Sequence, residues 1–503
     1  MLDPARIPVI VGVGDVRSGR SGVPAGPREP LDLISEAAQS AIADCGVAAL
    51  RSRIDAIHAV KTVSWSYDDL PGLLAARLTV PAPITASTSP IGGHWPAALL
   101  DRIGDDIAGG RTSVALLVGG EAQATMTALQ KSGTDPVSLG WVAAPGGPPA
   151  FDASDLGSPG MQRAGLIVPT RVYPLFENRF TYDSGRTPEQ SSAWSARMYS
   201  AFSELAAKNP ASWTSTVYSP EDIATTGPGN RMVCEPYPLM LNAMPFVDQA
   251  AAVVVCSLAL AREHGIADDR VVYLWGGAGA TDPVDVLARN SFGTSAAMNR
   301  AVGRALAQAS LEASALDVVD AYSCFPVVPK LLIRALCLPE DTVPSVTGGH
   351  SFFGGPLNSY TLHAIAEVTR RVREGAGPAL VHGNGGYLTY QHVVLLSGTP
   401  HRNGYIGTPE PEQLGSDAPE LVAGYAGEAE ILTTTVEYGR DGVPATGFVV
   451  AHTSDGRRLA GRTGPEDAAA LSAYTRTPPR SVIGRTVHVT DRDGVLTVRF
   501  PTG

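Results

Sequence analysis

The strongest constraint on this chain is that it repeats itself at long range. Gly14 closes the strand-like run Val9 to Val13, and Gly276 closes Val271 to Trp275. Ile54-Asp55-Ala56-Ile57 has a counterpart in Leu316-Asp317-Val318-Val319, and Gly92-Gly93 in Gly354-Gly355, all at one offset of about 262 residues. Helical patterns precede the short strands, over Leu31 to Cys45 in the first copy and Ala297 to Leu311 in the second. After the paired glycines come amphipathic runs, Pro96 to Ala108 in one copy and a run through Leu362, Ile365 and Val368 in the other. Each leads to an apolar strand ending in glycine, Val114 to Val118 and Ala379 to Val381. These strands are too apolar to leave one face in water, so the repeat predicts α/β halves with helix-covered sheets.

Between the copies, Gln123 to about Met244 is rich in Pro, Ser, Trp and Tyr and reads as a long insertion with a helix near Ser191 to Lys208. Beyond Pro400, alternating segments at Ile431 to Tyr438, Gly447 to His452, Ser481 to Val489 and Val495 to Phe500 are separated by Asp-Gly pairs. They predict a small antiparallel β-barrel, OB-like. The organisation expected is therefore 1–122 with 245–268 as one half, 123–244 as the insertion, 269–402 as the second half and 415–503 as the barrel.

Composition narrows the function classes. A net charge of −11 over 503 residues argues against a nucleic-acid partner. Cys45, Cys234, Cys256, Cys324 and Cys337 are an odd set without a CxxC spacing, as in a reducing, cytoplasmic setting, and imply neither disulfides nor zinc. The longest apolar run, Ala250 to Ala261, is too short for a membrane span. Gly12-Val13-Gly14 and Gly277-Ala278-Gly279 do not continue as a dinucleotide fingerprint, and no histidine spacing suggests a metal.

The duplicated α/β halves, the insertion after Gly119-Gly120-Glu121 and the run Val247-Asp248-Gln249-Ala250-Ala251-Ala252 with a following helix resemble the thiolase superfamily over roughly residues 5 to 400. The nearest likeness is to actinobacterial thiolase-like proteins, often named acetyl-CoA acetyltransferase, that carry an extra C-terminal domain. The resemblance implies a five-layered αβαβα fold, an acyl-CoA thioester as ligand, a role in lipid metabolism and no bound cofactor. It also implies a nucleophilic cysteine at a helix N-terminus, but that position is Gly93 here. The Asn-Glu-Ala-Phe motif corresponds to Tyr322-Ser323-Cys324-Phe325 and the Gly-His-Pro motif to Gly354-Gly355-Pro356, so Gly355 stands where the histidine would be. The Cys-x-Gly-Gly motif aligns loosely with His382-Gly383-Asn384-Gly385-Gly386.

Candidate catalytic residues are therefore Tyr322, Cys324, His94, His350 and His382, with Gly92, Gly93, Gly354, Gly355, Asn384, Gly385 and Gly386 as substrate-binding positions. A free cysteine or tyrosine is more often a packed core residue, and a loop histidine more often a hydrogen-bonded one. Losing a nucleophile and its base costs about a thousand- to a million-fold in rate, which predicts weak or absent thiolysis. Two alternatives remain: a retro-aldol lyase using Tyr322, as in thiolase-like steroid side-chain aldolases with an OB-like partner, and a non-catalytic lipid or protein interaction module. A monomer or a homodimer fits either. The cluster Arg457-Arg458 with Arg462 could meet phosphates, though such short basic groups are usually solvated hairpin edges.

Overall fold

A computed structural model describes residues 2–20, 26–81, 83–150, 152, 157–475 and 481–501. The first half lays down β1 (Pro8–Arg17), α1 (Pro30–Asp44), β2 (Ala56–Ala59), α2 (Leu70–Leu78), β3 (Thr85–Thr88), α3 (Trp95–Gly109) and β4 (Val114–Ala122). The insertion follows, with α4 (Gln123–Ser132), α5 (Pro159–Ala164), α6 (Pro169–Asp183), α7 (Pro188–Lys208), α8 (Pro220–Ala224) and the hairpin β5 (Met232–Cys234) and β6 (Tyr237–Pro238). Then β7 (Asp248–Ser257) returns to the first sheet and leads into α9 (Leu258–Glu263). The long apolar run breaks there because Ser257 caps the new helix, its hydroxyl accepting from the Leu260 amide.

The second half comprises β8 (Val272–Thr281), α10 (Ala296–Ala309), β9 (Val318–Asp320), α11 (Val327–Ala335), α12 (Tyr360–Arg373), β10 (Ala379–Gly385) and β11 (Tyr390–Ser397). The sheet order outward from the centre is β1-β7-β4-β2-β3 on one side and β8-β11-β10-β9 on the other. Pairing senses repeat as well: β2 runs parallel to β4 and β9 to β10, while β4–β7, β7–β1, β10–β11 and β11–β8 are antiparallel. The duplication read from glycine spacing is therefore a duplication of topology.

Helices α3 and α12 lie between the two halves of this sheet, which β1 and β8 join. Leu100, Ile103 and Ile107 of α3 and Leu362, Ile365 and Val368 of α12 share one buried cluster with Ile10, Leu117, Val253, Leu274, Val381 and Val394 from both half-sheets. On the outside, α1 packs on β1, β7 and β4, and α10 on β8 and β11. This gives helix, sheet, helix, sheet, helix: the five layers expected.

β12 (Thr408–Gln413) pairs with β8 and leads to β13 (Gly427–Tyr438), β14 (Pro444–Thr453), β15 (Arg458–Arg462), α13 (Pro465–Thr475), β16 (Thr486–Arg492) and β17 (Val495–Arg499). The barrel closes in the order β13-β14-β15-β17-β16-β13. It is mixed rather than antiparallel, because α13 carries the chain across and sets β17 parallel to β15. Three strands, a helix and two strands in this order is the OB-like arrangement.

The expectation for the arginines needs correcting at Arg458. Its side chain is buried, and Nη1 donates to the carbonyls of Leu287 (2.7 Å) and Arg289 (2.5 Å), fastening β15 to the second half. No helix of the described residues is long and apolar enough to cross a membrane, and no cluster of described residues has a metal-binding composition.

Candidate active site at the strand ends

The paired glycine loops and the carboxyl ends of β9 and β10 converge above the central helices. Gly92 and Gly93 immediately precede α3, with the Gly92 amide donating to Asn358 Oδ1 (3.0 Å) and the Gly93 carbonyl accepting from Thr361 Oγ1 (3.1 Å). A β-carbon on Gly93 would lie 2.3 Å from the Tyr322 hydroxyl oxygen and 2.6 Å from its ring. At the helix N-terminus where the family resemblance puts a nucleophilic thiol, a phenol fills the space.

Tyr322 leaves the end of β9 and is buried, its hydroxyl donating weakly to the Leu357 carbonyl at 3.4 Å. Its ring centroid is 4.2 Å from that of His350, which stacks on Tyr360 at 3.5 Å. Burial, then the neighbouring Cys324 and Tyr360, push the phenol well above its ordinary range, so it is a proton carrier in its neutral form.

His350 sits in the short helical turn Gly349–Phe353 and accepts at Nδ1 from the Ser323 amide (3.2 Å). That bond leaves the proton on Nε2, which is buried and has no partner. Burial holds this imidazole well below its usual pKa, so it is neutral and offers one free N–H donor. A β-carbon on Gly355 would sit 3.4 Å from His350 Cδ2. His350 thus reaches the neighbourhood of Gly355 from five residues earlier in the chain.

His382, on β10, has both ring nitrogens engaged: Nδ1 accepts from the Tyr322 amide (3.4 Å) and Nε2 donates to Gln391 Oε1 (2.7 Å). Burial brings its pKa down to about 4, partly offset by Gln391. Gln391 Nε2 donates to Asn384 Oδ1 (2.7 Å), and Asn384 Nδ2 donates to the Tyr173 hydroxyl (2.9 Å). Tyr173 in turn donates to the Gly386 carbonyl (2.8 Å). Its hydroxyl also faces the Cys324 thiol, whose pKa burial pushes up to about 12 despite that contact.

Tyr173 comes from α6, so the insertion closes the site. Nothing in the sequence singled it out, because the insertion has no copy in the repeat; Tyr360, Gln391 and Ser323 were missed for the related reason that each acts only through a neighbour. His94 caps α3 from the other side. It stacks on Tyr390 at 5.0 Å, and a β-carbon on Gly385 would meet its Nδ1 at 2.3 Å. Burial, with a smaller contribution from His392, brings His94 down to about 3. Gly354, at φ 120°, lies against Gln249, whose Oε1 would be 2.4 Å from a β-carbon there. Gly386, at φ 60°, makes the turn after β10.

The structure therefore brings Tyr322, Cys324, His350 and His382 into one buried cluster with Gly93 and Gly355 at its edge, and sets His94 against the Gly383–Gly385 strand. Every ionisable side chain in that cluster is neutral near pH 7. Such a site can place O–H, S–H and N–H donors around a carbonyl.

This fold is thiolase-like. Residues 411–494 match the thiolase-like protein type 1 additional C-terminal domain. A monomeric SCP2-thiolase-like protein type 1 from Mycobacterium smegmatis aligns over 99% of this chain and 100% of its own, with 28% identity and a TM-score of 0.80. An acetyl-CoA acetyltransferase from Methanocaldococcus jannaschii is 29% identical over 222 residues, which is 40% of this chain and 54% of that protein. One from Methanothermobacter thermautotrophicus is 26% identical over 44% of this chain and 58% of its own, so the chain spans little more than half of these relatives. The Ltp2-ChsH2(DUF35) aldolase shares the fold at a TM-score of 0.60 and 20% identity, over 78% of this chain and 98% of its own. Over its whole length the chain is similar to a thiolase-like protein type 1, and residues 411–494 match the additional C-terminal domain of that group.

Proposed function

We propose that this protein binds an acyl-CoA thioester at the strand-end site and does not perform thiolysis through an acyl-cysteine. The observation that carries this reading is the Tyr322 phenol in the space a side chain at Gly93 would need. Cys324, the one thiol in the cluster, is held protonated by burial, which removes the thiolate form that attacks a thioester. Cys45, buried away from the site, is likewise pushed up to about 12. The relatives named acetyl-CoA acetyltransferase support a CoA thioester as the ligand class. Incubation with acetoacetyl-CoA and free CoA is expected to give only background cleavage. Turnover in the ordinary enzymatic range of about 1–1,000 per second, or an acylated cysteine found by mass spectrometry, would overturn the reading.

A second reading, retro-aldol cleavage of a 3-hydroxyacyl-CoA, is favoured by the pairing of Tyr322 with the unpartnered Nε2–H of His350. The C2–C3 bond breaks, its electron pair moves into the thioester enolate, and His350 donates a hydrogen bond to the developing oxyanion. The phenol gives its proton to C2 and takes the proton of the 3-hydroxyl, so the residue ends unchanged and a ketone or aldehyde leaves. Release of that carbonyl product is the assay, and Tyr322→Phe is expected to abolish it. Unchanged release by the variant sinks the second reading and leaves the first untouched.

A further inference from the structure

A cleft of about 640 Å³ opens where α6 and α7 meet the barrel, lined by residues the strand-end site does not use. It falls within the roughly 300–1,000 Å³ typical of small-molecule sites, which favour junctions between structural units. Its inner walls are apolar: Met232 and Pro236 from the hairpin, Val436 from β13, Leu471 from α13, then Val482 and Ile483.

Four polar side chains in these walls are already engaged within the protein. Asn178 Nδ2 donates to the carbonyls of Thr434 (2.7 Å) and Glu235 (3.3 Å). Thr434 Oγ1 donates to Phe448 O (2.8 Å) and Thr435 Oγ1 to Glu235 O (2.7 Å). Glu235 Oε1 accepts from the hydroxyls of Tyr438 (2.6 Å) and Ser472 (2.7 Å). With those bonds made inside the protein, what the cleft offers a guest is hydrocarbon.

Charge at the rim decides the head group. The first turn of α7 faces the cleft with two of its first three N–H positions already used or missing. Thr187 and Gln190 cap each other reciprocally, and Pro188 has no N–H. Arg186 is held by Glu340 and lies 5.1 Å over the Trp194 ring. Among the described residues, exposed Glu189 and the half-exposed Tyr182 hydroxyl remain on the rim, an acceptor and a donor suited to a hydroxyl, with the Glu189 charge set against a carboxylate.

We propose that this cleft is a second binding site, for an uncharged lipid alcohol whose chain enters the apolar pocket and whose hydroxyl stays at the Glu189–Tyr182 rim. The proposal stands independently of the acyl-CoA reading. The test uses Nile red as a neutral fluorescent probe on the full chain, displaced by 1-dodecanol or by dodecanoate. Saturable probe binding is expected, with dodecanol displacing at about tenfold lower concentration than dodecanoate. Ala193→Trp with Ala224→Trp places two rings at exposed rim positions and is expected to weaken probe binding about tenfold at unchanged Tm. Hydrogen exchange of residues 232–236 and 481–483 is expected to slow on adding dodecanol to the unsubstituted protein. Absence of saturable binding, equal or better displacement by dodecanoate, or unaltered binding in the tryptophan variant would overturn the assignment.

Discussion

The strand order β1-β7-β4-β2 of the first half recurs as β8-β11-β10-β9 in the second, with β3 extra in the first, yet the loops at their strand ends are held in opposite ways. In the first half, the loop after β2 is anchored by a carboxylate: Glu121 on β4 accepts from the Val63 and Ser64 amides at 2.8 Å each and from the Ser64 hydroxyl at 2.5 Å. In the second half, the segment after β9 is anchored by neutral imidazoles, through the longer bonds from Tyr322 N to His382 and Ser323 N to His350. The carboxylate closes its loop with three strong bonds. The imidazoles hold the Tyr322 and Ser323 amides and leave the Tyr322 phenol and Cys324 thiol to the buried cluster. Duplication fixes where loops emerge from the sheets; the anchoring residue decides whether a loop is structural or chemical.

The second half differs most in its tie to the insertion, and breaking that tie is the largest expected effect. Lys330 is fully buried, bonded to Glu177 Oε1 (2.5 Å) and to Ser191 through its hydroxyl (3.0 Å) and carbonyl (3.1 Å), with Tyr237 on the other oxygen of Glu177 (2.7 Å). Lys330→Met strands the carboxylate and is expected to cost about 3–5 kcal/mol in denaturant unfolding. Adding Glu177→Leu is expected to recover part of that loss, because the unpaired charge goes with it. A Lys330→Met protein as stable as its parent would mean that the halves are not distinguished by this clamp.

The two glycines at the edge of the site give the next contrast. Gly93→Ala would push a methyl into the Tyr322 phenol and is expected to cost about 1–3 kcal/mol. Gly355→Ala meets nothing closer than the Met244 carbonyl at 3.3 Å and is expected to cost less. If phenol and glycine share one space, Gly93→Ala costs less in a Tyr322→Ala background, with a coupling of about 0.5–3 kcal/mol in a double-mutant cycle. Strict additivity would break the claim that Tyr322 occupies the Gly93 slot.

Periodicity carried the halves because helices and strands facing a core must repeat their apolar positions. The Asp-Gly pairs carried the barrel hairpins for an equally local reason: Gly442, Gly456 and Gly494 all adopt φ near +80°, which those turns need. Two barrel elements were illegible. The run Arg-Leu-Ala-Gly-Arg looks like a solvated edge, and becomes strand β15 only because carbonyls of Leu287 and Arg289, far away in sequence, receive the Arg458 guanidinium. Without β15 and the alanine-rich α13, the parallel β15–β17 pair had no basis. At the site, the motif comparison located Tyr322, Cys324 and His382, whereas His350's reach toward Gly355 and Tyr173's arrival from α6 are tertiary facts.

Each half also buries one carboxylate that titrates near neutrality, and their difference gives the subtlest test. Burial pushes Glu121 and Asp320 up to about 7, against the hydrogen bonds that each accepts. Glu121 uses both oxygens, whereas Asp320 takes the Val346 amide on Oδ2 (2.8 Å) and leaves Oδ1 without a partner. A buried acid with a raised pKa contributes stability that is complete below its unfolded value, near 4, and lost as pH rises through about 7. The buried histidines act oppositely: His94 and His382, held down to about 3 and 4, lose stability as pH falls below 6.5. Asp15, brought down to about 2 because His363 and Arg370 outweigh its burial, matters only below pH 4. The informative quantity is therefore variant minus parent. Asp320→Asn is expected to gain on the parent by about 1 kcal/mol or more between pH 4 and 7, then to keep that gain unchanged above pH 7. Glu121→Gln turns an N–H₂ toward the Val63 or Ser64 amide, so it should stay below its parent from pH 4 to 8. If unfolding curves across that range show both variants behaving alike, the two anchors are equivalent and the contrast between the halves fails at its root.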